Sequence, residues 1–342
     1  MEQITTSNGF FDAQQEKRSL ANTAMRVGAA ITVWVVLRII FGLSTIPILN
    51  LLKAQGVSDN LQQIIIFAVE AAGLYLVATP IALWVLGIFK EGKFKAMFAK
   101  SSMPARQVAA AIPMLYTVTI AINFIATIVN LILSGSIEKV LADNPFLSMP
   151  TGTLGVVLNY VWTVAVAPIF EEILFRGGIL GTLKKYGNWF AVIVSALLFG
   201  LAHVNIAQML YATALGFMLG IMYVRAGSVT PCIITHIAIN LIGISVAISY
   251  TAHNMILLAI LVLVMIATVI TGLVFVILTL TKYRNNLRLG ASNTTLSKRE
   301  RFATLLRSPM FVLMFVLSLA LNIAVNVPAV SNAIDVLFGV GA

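Results

Sequence analysis

Two adjacent carboxylates and an arginine, in the run Phe170-Glu171-Glu172-Ile173-Leu174-Phe175-Arg176, interrupt an otherwise apolar stretch. Upstream, Leu154 to Ile169 carries no formal charge, and downstream follow Gly177-Gly178-Ile179-Leu180. Inside a bilayer each such side chain costs roughly 3 kcal/mol unless it pairs or faces water. Three of them together require partners. Two later segments offer them: Phe199-Gly200-Leu201-Ala202-His203, and His236-Ile237-Ala238-Ile239-Asn240. The chain has only three histidines, and these segments hold two of them. The third, His253, falls in a short loop and is given no role.

Spacing makes the set coherent. Glu172 and Arg176 stand at i,i+4 and share a helix face, as do His236 and Asn240. Glu171 is turned about 100° from Glu172 on a helix of 3.6 residues per turn. One carboxylate can therefore hold Arg176 while the other points elsewhere. A positioned carboxylate can act as general base on water. A guanidinium beside a carboxylate favours its ionised form. Histidines and an asparagine can bind a metal, orient water or donate to a developing oxyanion. Together these parts fit peptide-bond hydrolysis. Covalent catalysis fits poorly: no serine lies in a nucleophile elbow, and Cys232, one turn before His236, reads as packing. HExxH, phosphate loops and dinucleotide fingerprints are absent as well.

These residues must be carried by membrane-spanning helices. Of 342 residues, 60% are hydrophobic and 10% charged, against about 25% charge in soluble domains. The apolar runs are about 20 residues long and do not alternate, which selects helices over a β-barrel. The expected fold is an all-α, polytopic bundle of eight to nine spans. Their approximate bounds are 27–49, 63–89, 108–133, 154–183, 188–203, 206–224, 229–250, 254–280 and 310–327. The fifth is short, and the turn after it, at Val204–Asn205, must be shielded by protein or line water. Pro80 is expected to kink the second span. Arg38 and Glu70, in the first two spans, are expected to pair. Glycines 177, 178 and 200 are expected to allow close helix approach.

The chain divides into a polar cytoplasmic tail (1–26), three N-terminal spans (27–153), a four-helix catalytic core (154–250), and a C-terminal part (251–342) with a basic loop at 281–308. The net charge is +10, but the basic residues sit between spans, so they report topology and lipid contact before nucleic acid. With the N-terminus in the cytoplasm, alternation over nine spans places 18 of the 22 Lys and Arg on the cytoplasmic side. Only Lys53 and Lys139 fall outside, while Arg38 and Arg176 lie within spans. Merging spans five and six would put the seven basic residues of 281–308 on the wrong side.

The three motifs, Glu171-Glu172-xxx-Arg176, Phe199-xxx-His203 and His236-xxx-Asn240, occur in order on successive spans. In this they resemble the CAAX-protease and bacteriocin-processing family, which comprises the Rce1-type prenyl-protein endopeptidases and their bacterial relatives, the Abi proteins. The resemblance covers about residues 154–245. It implies an intramembrane endopeptidase in which Glu171 activates water, Glu172 and Arg176 support it, and His203, His236 and Asn240 orient water or stabilise the oxyanion. It also implies roles in peptide maturation, bacteriocin immunity or surface-protein regulation, while the charge pattern, the lack of a targeting sequence and the terse N-terminus suggest a bacterial plasma membrane. A zinc ion held by His203 and His236 and a metal-free glutamate mechanism both remain open on the spacing. The implied partners are the bilayer and a membrane-associated protein or peptide substrate, with no nucleic acid. Competing readings are a non-proteolytic partner of a sensor kinase or secretion component, and a solute transporter. Transporters often carry inverted repeats, and none is found in the sequence.

Overall fold

The computed structural model describes residues 2–134, 152–290 and 293–326. The expected loop bearing Glu138, Lys139 and Asp143, and the apolar C-terminal residues, lie outside the described residues. In hydrocarbon a chain must satisfy its backbone groups internally, and the apolar runs accordingly form helices. In chain order they are α1 (Glu2–Ala54), α2 (Asp59–Val85), α3 (Ala105–Ser134), α4 (Thr153–Tyr186), α5 (Asn188–Leu201), α6 (Ile206–Ala226), α7 (Thr230–Thr251), α8 (Met255–Thr281), α9 (Lys298–Leu306) and α10 (Pro309–Asn326). No strand occurs among the described residues. Seven of the described helices are long and apolar enough to cross a membrane; α9 and α10, bent by 73°, add an eighth if taken together. The protein is an all-α, multi-pass membrane bundle.

Two features depart from the sequence expectation, and a third, the short fifth span, keeps to it. Residues 2–26, expected as a polar tail, form the first half of α1. They are held there by side chains. Tyr186 Oη meets Ser19 Oγ at 2.8 Å and Thr23 Oγ1 at 3.0 Å, and Leu20 and Ala24 are fully buried. Within the basic 281–308 segment stands α9, which the sequence signals through a capping box: Ser297 and Glu300 each bond the other's backbone N–H. The expected fifth span, α5, has 14 residues, about 21 Å of helix.

Helix α5 is one arm of a hairpin. Trp189 on α5 stacks on Phe217 of α6, with ring centroids 5.8 Å apart. The two outer ends of this hairpin lie at the same end of the bundle. Tyr223 near the end of α6 receives Lys184, whose Nζ is 5.6 Å from the ring centroid, just before α5 begins. Ser102 N donates to Ala226 O at 2.9 Å, Asn188 Nδ2 to Gly290 O at 3.0 Å, and Arg301 Nη1 to Tyr186 O at 2.7 Å. These bonds gather the 90–106 loop, the ends of α4 and α6 and the 282–307 segment at one basic end. The α5–α6 hairpin enters and returns, so later loops keep the parity of the nine-span count.

Close crossings fix the frame. At Gly28 of α1 a Cβ would stand 2.3 Å from Phe311 N on α10, and at Gly272 of α8 one would stand 2.0 Å from Pro113 O on α3. Only glycine admits these approaches. Helix α8 turns Ile256, Leu263 and Ile270 outward, as lipid contact demands.

Candidate active site

Two prolines shape the helices that carry the site. Proline removes a backbone donor and clashes with the preceding turn. Before Pro80, α2 widens into a π turn at Gly73–Ala78, which carries Tyr75. Before Pro168, α4 widens likewise at Trp162–Val166, with Ala167 N donating to Trp162 O. In that register the carbonyl of Thr163 would be served by residue 168, which has no N–H. Asn240 Nδ2 serves it instead, at 2.9 Å. A second π segment, Ile173–Leu180, follows the paired glutamates. Such turns recur at functional sites.

The two glutamates face different surroundings, as their 100° offset requires. Glu172 is fully buried. Its Oε1 lies 3.1 Å from Arg176 Nη1 and 3.0 Å from His236 Nδ1. Arg176 is also fully buried, and its ion pair lies off the line of its N–H bonds: among the described residues its nitrogens make no well-directed hydrogen bond. Its Cζ stands 4.2 Å from the ring centroid of Phe199, a cation–π contact that partly replaces lost hydration. At Gly216 of α6 a Cβ would come 3.2 Å from Arg176 Nη2, so the missing side chain leaves room for the guanidinium.

Glu171 keeps 15% of its side chain exposed and lines a cavity of about 750 Å³. Tyr75 Oη donates to its Oε1 at 2.8 Å. Its Oε2 lies 3.9 Å from His236 Nε2, beyond a hydrogen bond but within electrostatic reach. His203, His236 and Asn240 line the same cavity. The six residues singled out in the sequence are thus brought together: four on the cavity wall, with Glu172 and Arg176 sealed behind it.

Both histidines are oriented from behind. A carbonyl only accepts, so the 2.8 Å contact between His203 Nδ1 and Phe199 O makes Nδ1 the donor. The same argument makes His236 Nδ1 the donor to Glu172. Each ring then has Nε2 left for the cavity, the carboxylate–histidine arrangement that fixes a tautomer.

Sequence reasoning missed how the buried turn after α5 is satisfied. A helix end leaves carbonyls without partners. Here Phe199 O takes His203 Nδ1, Gly200 O takes His203 N, Leu201 O takes Asn322 Nδ2 of α10, and Ala202 O takes Arg38 Nη1 of α1. Arg38 and Glu70, expected to pair, form no ion pair among the described residues; both line the cavity instead. Arg38 is given to the α5 terminus, whose last carbonyls lack helical partners. Tyr75 was likewise not anticipated; an aromatic residue in an apolar run gives no signal of what its hydroxyl meets. Gly200 admits α6, since a Cβ there would lie 1.9 Å from Thr213 Oγ1. Cys232 is buried, its thiol directed at Leu219 O, as packing would have it.

A zinc ion would need at least three ligands. Among the described residues no three His, Cys, Asp or Glu side chains come together as such a set. The Nδ1 of each histidine is engaged, His236 by Glu172 and His203 by a carbonyl, which leaves only Nε2 of each ring for a metal. No step below passes through a metal.

Residues 152–242 match the family model described as type II CAAX prenyl endopeptidase Rce1-like. The chain is also similar to a protein of Bacillus subtilis (strain 168) named "Putative membrane peptidase YdiL", at 37% identity over 76 residues. That alignment spans 22% of this chain and 31% of the relative. No solved structure matches. The matched segment contains every motif residue of the cavity and the sealed pair behind it, and over that segment the chain is similar to the Rce1-like type II CAAX prenyl endopeptidases.

Proposed function

We propose that this protein is an intramembrane endopeptidase in which Glu171 activates water against a peptide bond of a membrane-associated protein or peptide. The observation that carries the reading is the division of the two carboxylates: Glu171 faces the cavity beside His236 Nε2, while Glu172 is committed to Arg176 and His236 Nδ1. Water held between Glu171 and the histidines gives a proton to the carboxylate as its oxygen bonds to the scissile carbonyl carbon. The C–N bond then breaks, and the proton passes from Glu171 to the departing amine. The products are a carboxylate and an amine, so no other reactant is needed. Donors on the cavity wall serve the oxyanion: the second N–H of Asn240, and either histidine when Nε2 is protonated.

The basic end of the bundle faces the cytoplasm in this reading, by the excess of Lys and Arg in its loops. The charge pattern supports a bacterial plasma membrane, and the family resemblance supports substrates that are maturing peptides or surface proteins.

The test is cleavage of membrane-associated peptides by the full chain in lipid nanodiscs, with fragments read by mass spectrometry. Glu171→Gln keeps the acceptor for Tyr75 and removes the base. It should lower kcat about 10²- to 10⁴-fold at unchanged thermal stability. Full activity in that variant would sink the proposal.

A further inference from the structure

A second concavity, of about 360 Å³, lies at the basic end, between the start of α1 and the α9–α10 bend. One wall is a single face of α1: Lys17, Arg18, Ala21 and Met25 recur at helical spacing. Three residues on, at Gly28, α1 meets the backbone of α10 and closes the groove. The other wall holds Thr304, Arg307 and Ser308.

Two observations mark it as a binding site. Thr304 and Ser308 are 6% and 4% exposed, yet neither hydroxyl has a hydrogen-bond partner among the described residues. Buried hydroxyls are ordinarily partnered. Lys17, Arg18 and Arg307 also line the groove, none in an ion pair among the described residues, while Glu16 and Glu300 are engaged elsewhere. Glu16 takes three bonds from Thr294 and Thr295. Glu300, within electrostatic reach of Lys17, is held by Ser297. The groove thus offers two buried hydroxyls and three positive charges over an apolar floor of Ala21 and Met25. That combination suits a phosphate attached to an apolar body, at the basic end of the bundle.

We propose that this groove binds the headgroup of an anionic phospholipid. Lys17, Arg18 and Arg307 neutralise the phosphate, Thr304 and Ser308 donate to its oxygens, and Ala21 and Met25 lie under the glycerol and the first carbons of an acyl chain. The proposal stands independently of the peptidase reading.

The test uses the full chain in phosphatidylcholine nanodiscs doped with phosphatidylglycerol, with retained lipid counted by native mass spectrometry. The wild type should keep a phosphatidylglycerol molecule. Arg18→Gln with Arg307→Gln should weaken retention about 25-fold, from two juxtamembrane cations removed. Thr304→Val, which changes no charge and little volume, should weaken it roughly fivefold through one lost hydrogen bond. Removing two cations elsewhere at the same end, by Lys90→Gln with Lys95→Gln, should change it less than about twofold. Equal loss in both charge pairs would show diffuse attraction and overturn the site, as would full retention by Thr304→Val. Inorganic phosphate that protects the wild type in detergent against heat as well as phosphatidylglycerol does would assign the groove to a free anion and overturn the lipid.

Discussion

The cavity wall and the layer behind it share one helix and differ in what each asks of a carboxylate. On the wall, Glu171 has one hydrogen-bond donor among the described residues, Tyr75, and open space before it. Behind the wall, Glu172 touches a guanidinium and an imidazole and has no exposure. A buried charge pair is expensive to break, because the remaining partner keeps its desolvation cost. A carboxylate that borders a cavity can gain and lose a proton without unfolding its surroundings. In the proposed reading the layer behind serves stability and orientation, and the wall serves chemistry. His236 joins the two, with Nδ1 in one and Nε2 in the other.

Substitutions can break this contrast. The largest effect on folding is expected from Glu172→Ala, which strands Arg176: about 3–5 kcal/mol of stability should be lost, read from denaturant unfolding in mixed micelles. Adding Arg176→Met to it should restore part of that stability, since removing both charges relieves the stranded one. The double variant should nonetheless stay inactive, because His236 loses its anchor. Equal stability losses from Glu171→Gln and Glu172→Ala would erase the distinction. Tyr75→Phe sharpens it from the wall side. Loss of a hydrogen bond to a charged group, about 1.5–3 kcal/mol, should appear in kcat for peptide cleavage and leave the unfolding midpoint in place. Asn322→Ala should cost about 1–2 kcal/mol of stability by orphaning the Leu201 carbonyl, measurable as a lower thermal midpoint. Smallest is Ser297→Ala, which removes the α9 cap at about 1 kcal/mol and should leave peptide cleavage unchanged.

Motif residues and bracing residues also differ in how they could be read. Glu171, Glu172, Arg176, His203, His236 and Asn240 were legible because ionisable and imidazole side chains are rare in apolar runs, so each stands out against its neighbours. Arg38 was visible for the same reason, but its partner was not. Glu70 was the obvious choice by charge, and the structure gives Arg38 to a backbone carbonyl that no sequence pattern marks. Asn322 and Tyr75 were harder still, lying on helices far from the motifs in the chain. The helical first half of α1 was missed because its polar residues look like a tail until Tyr186 and the 293–297 segment supply contacts.

The sequence by itself determined the all-α membrane bundle, the basic end, and the different directions of Glu171 and Glu172. Hydropathy, loop charge and helical pitch act locally, and each can be computed from neighbours in the chain. Only the tertiary structure decided which carboxylate faces the cavity. That choice depends on where Tyr75, Phe199 and His236 arrive from three other helices. It also depends on a hairpin turn held inside the bundle by Arg38 and Asn322 from the chain's two outer parts. These are contacts between residues tens to hundreds of positions apart, and no periodicity encodes them.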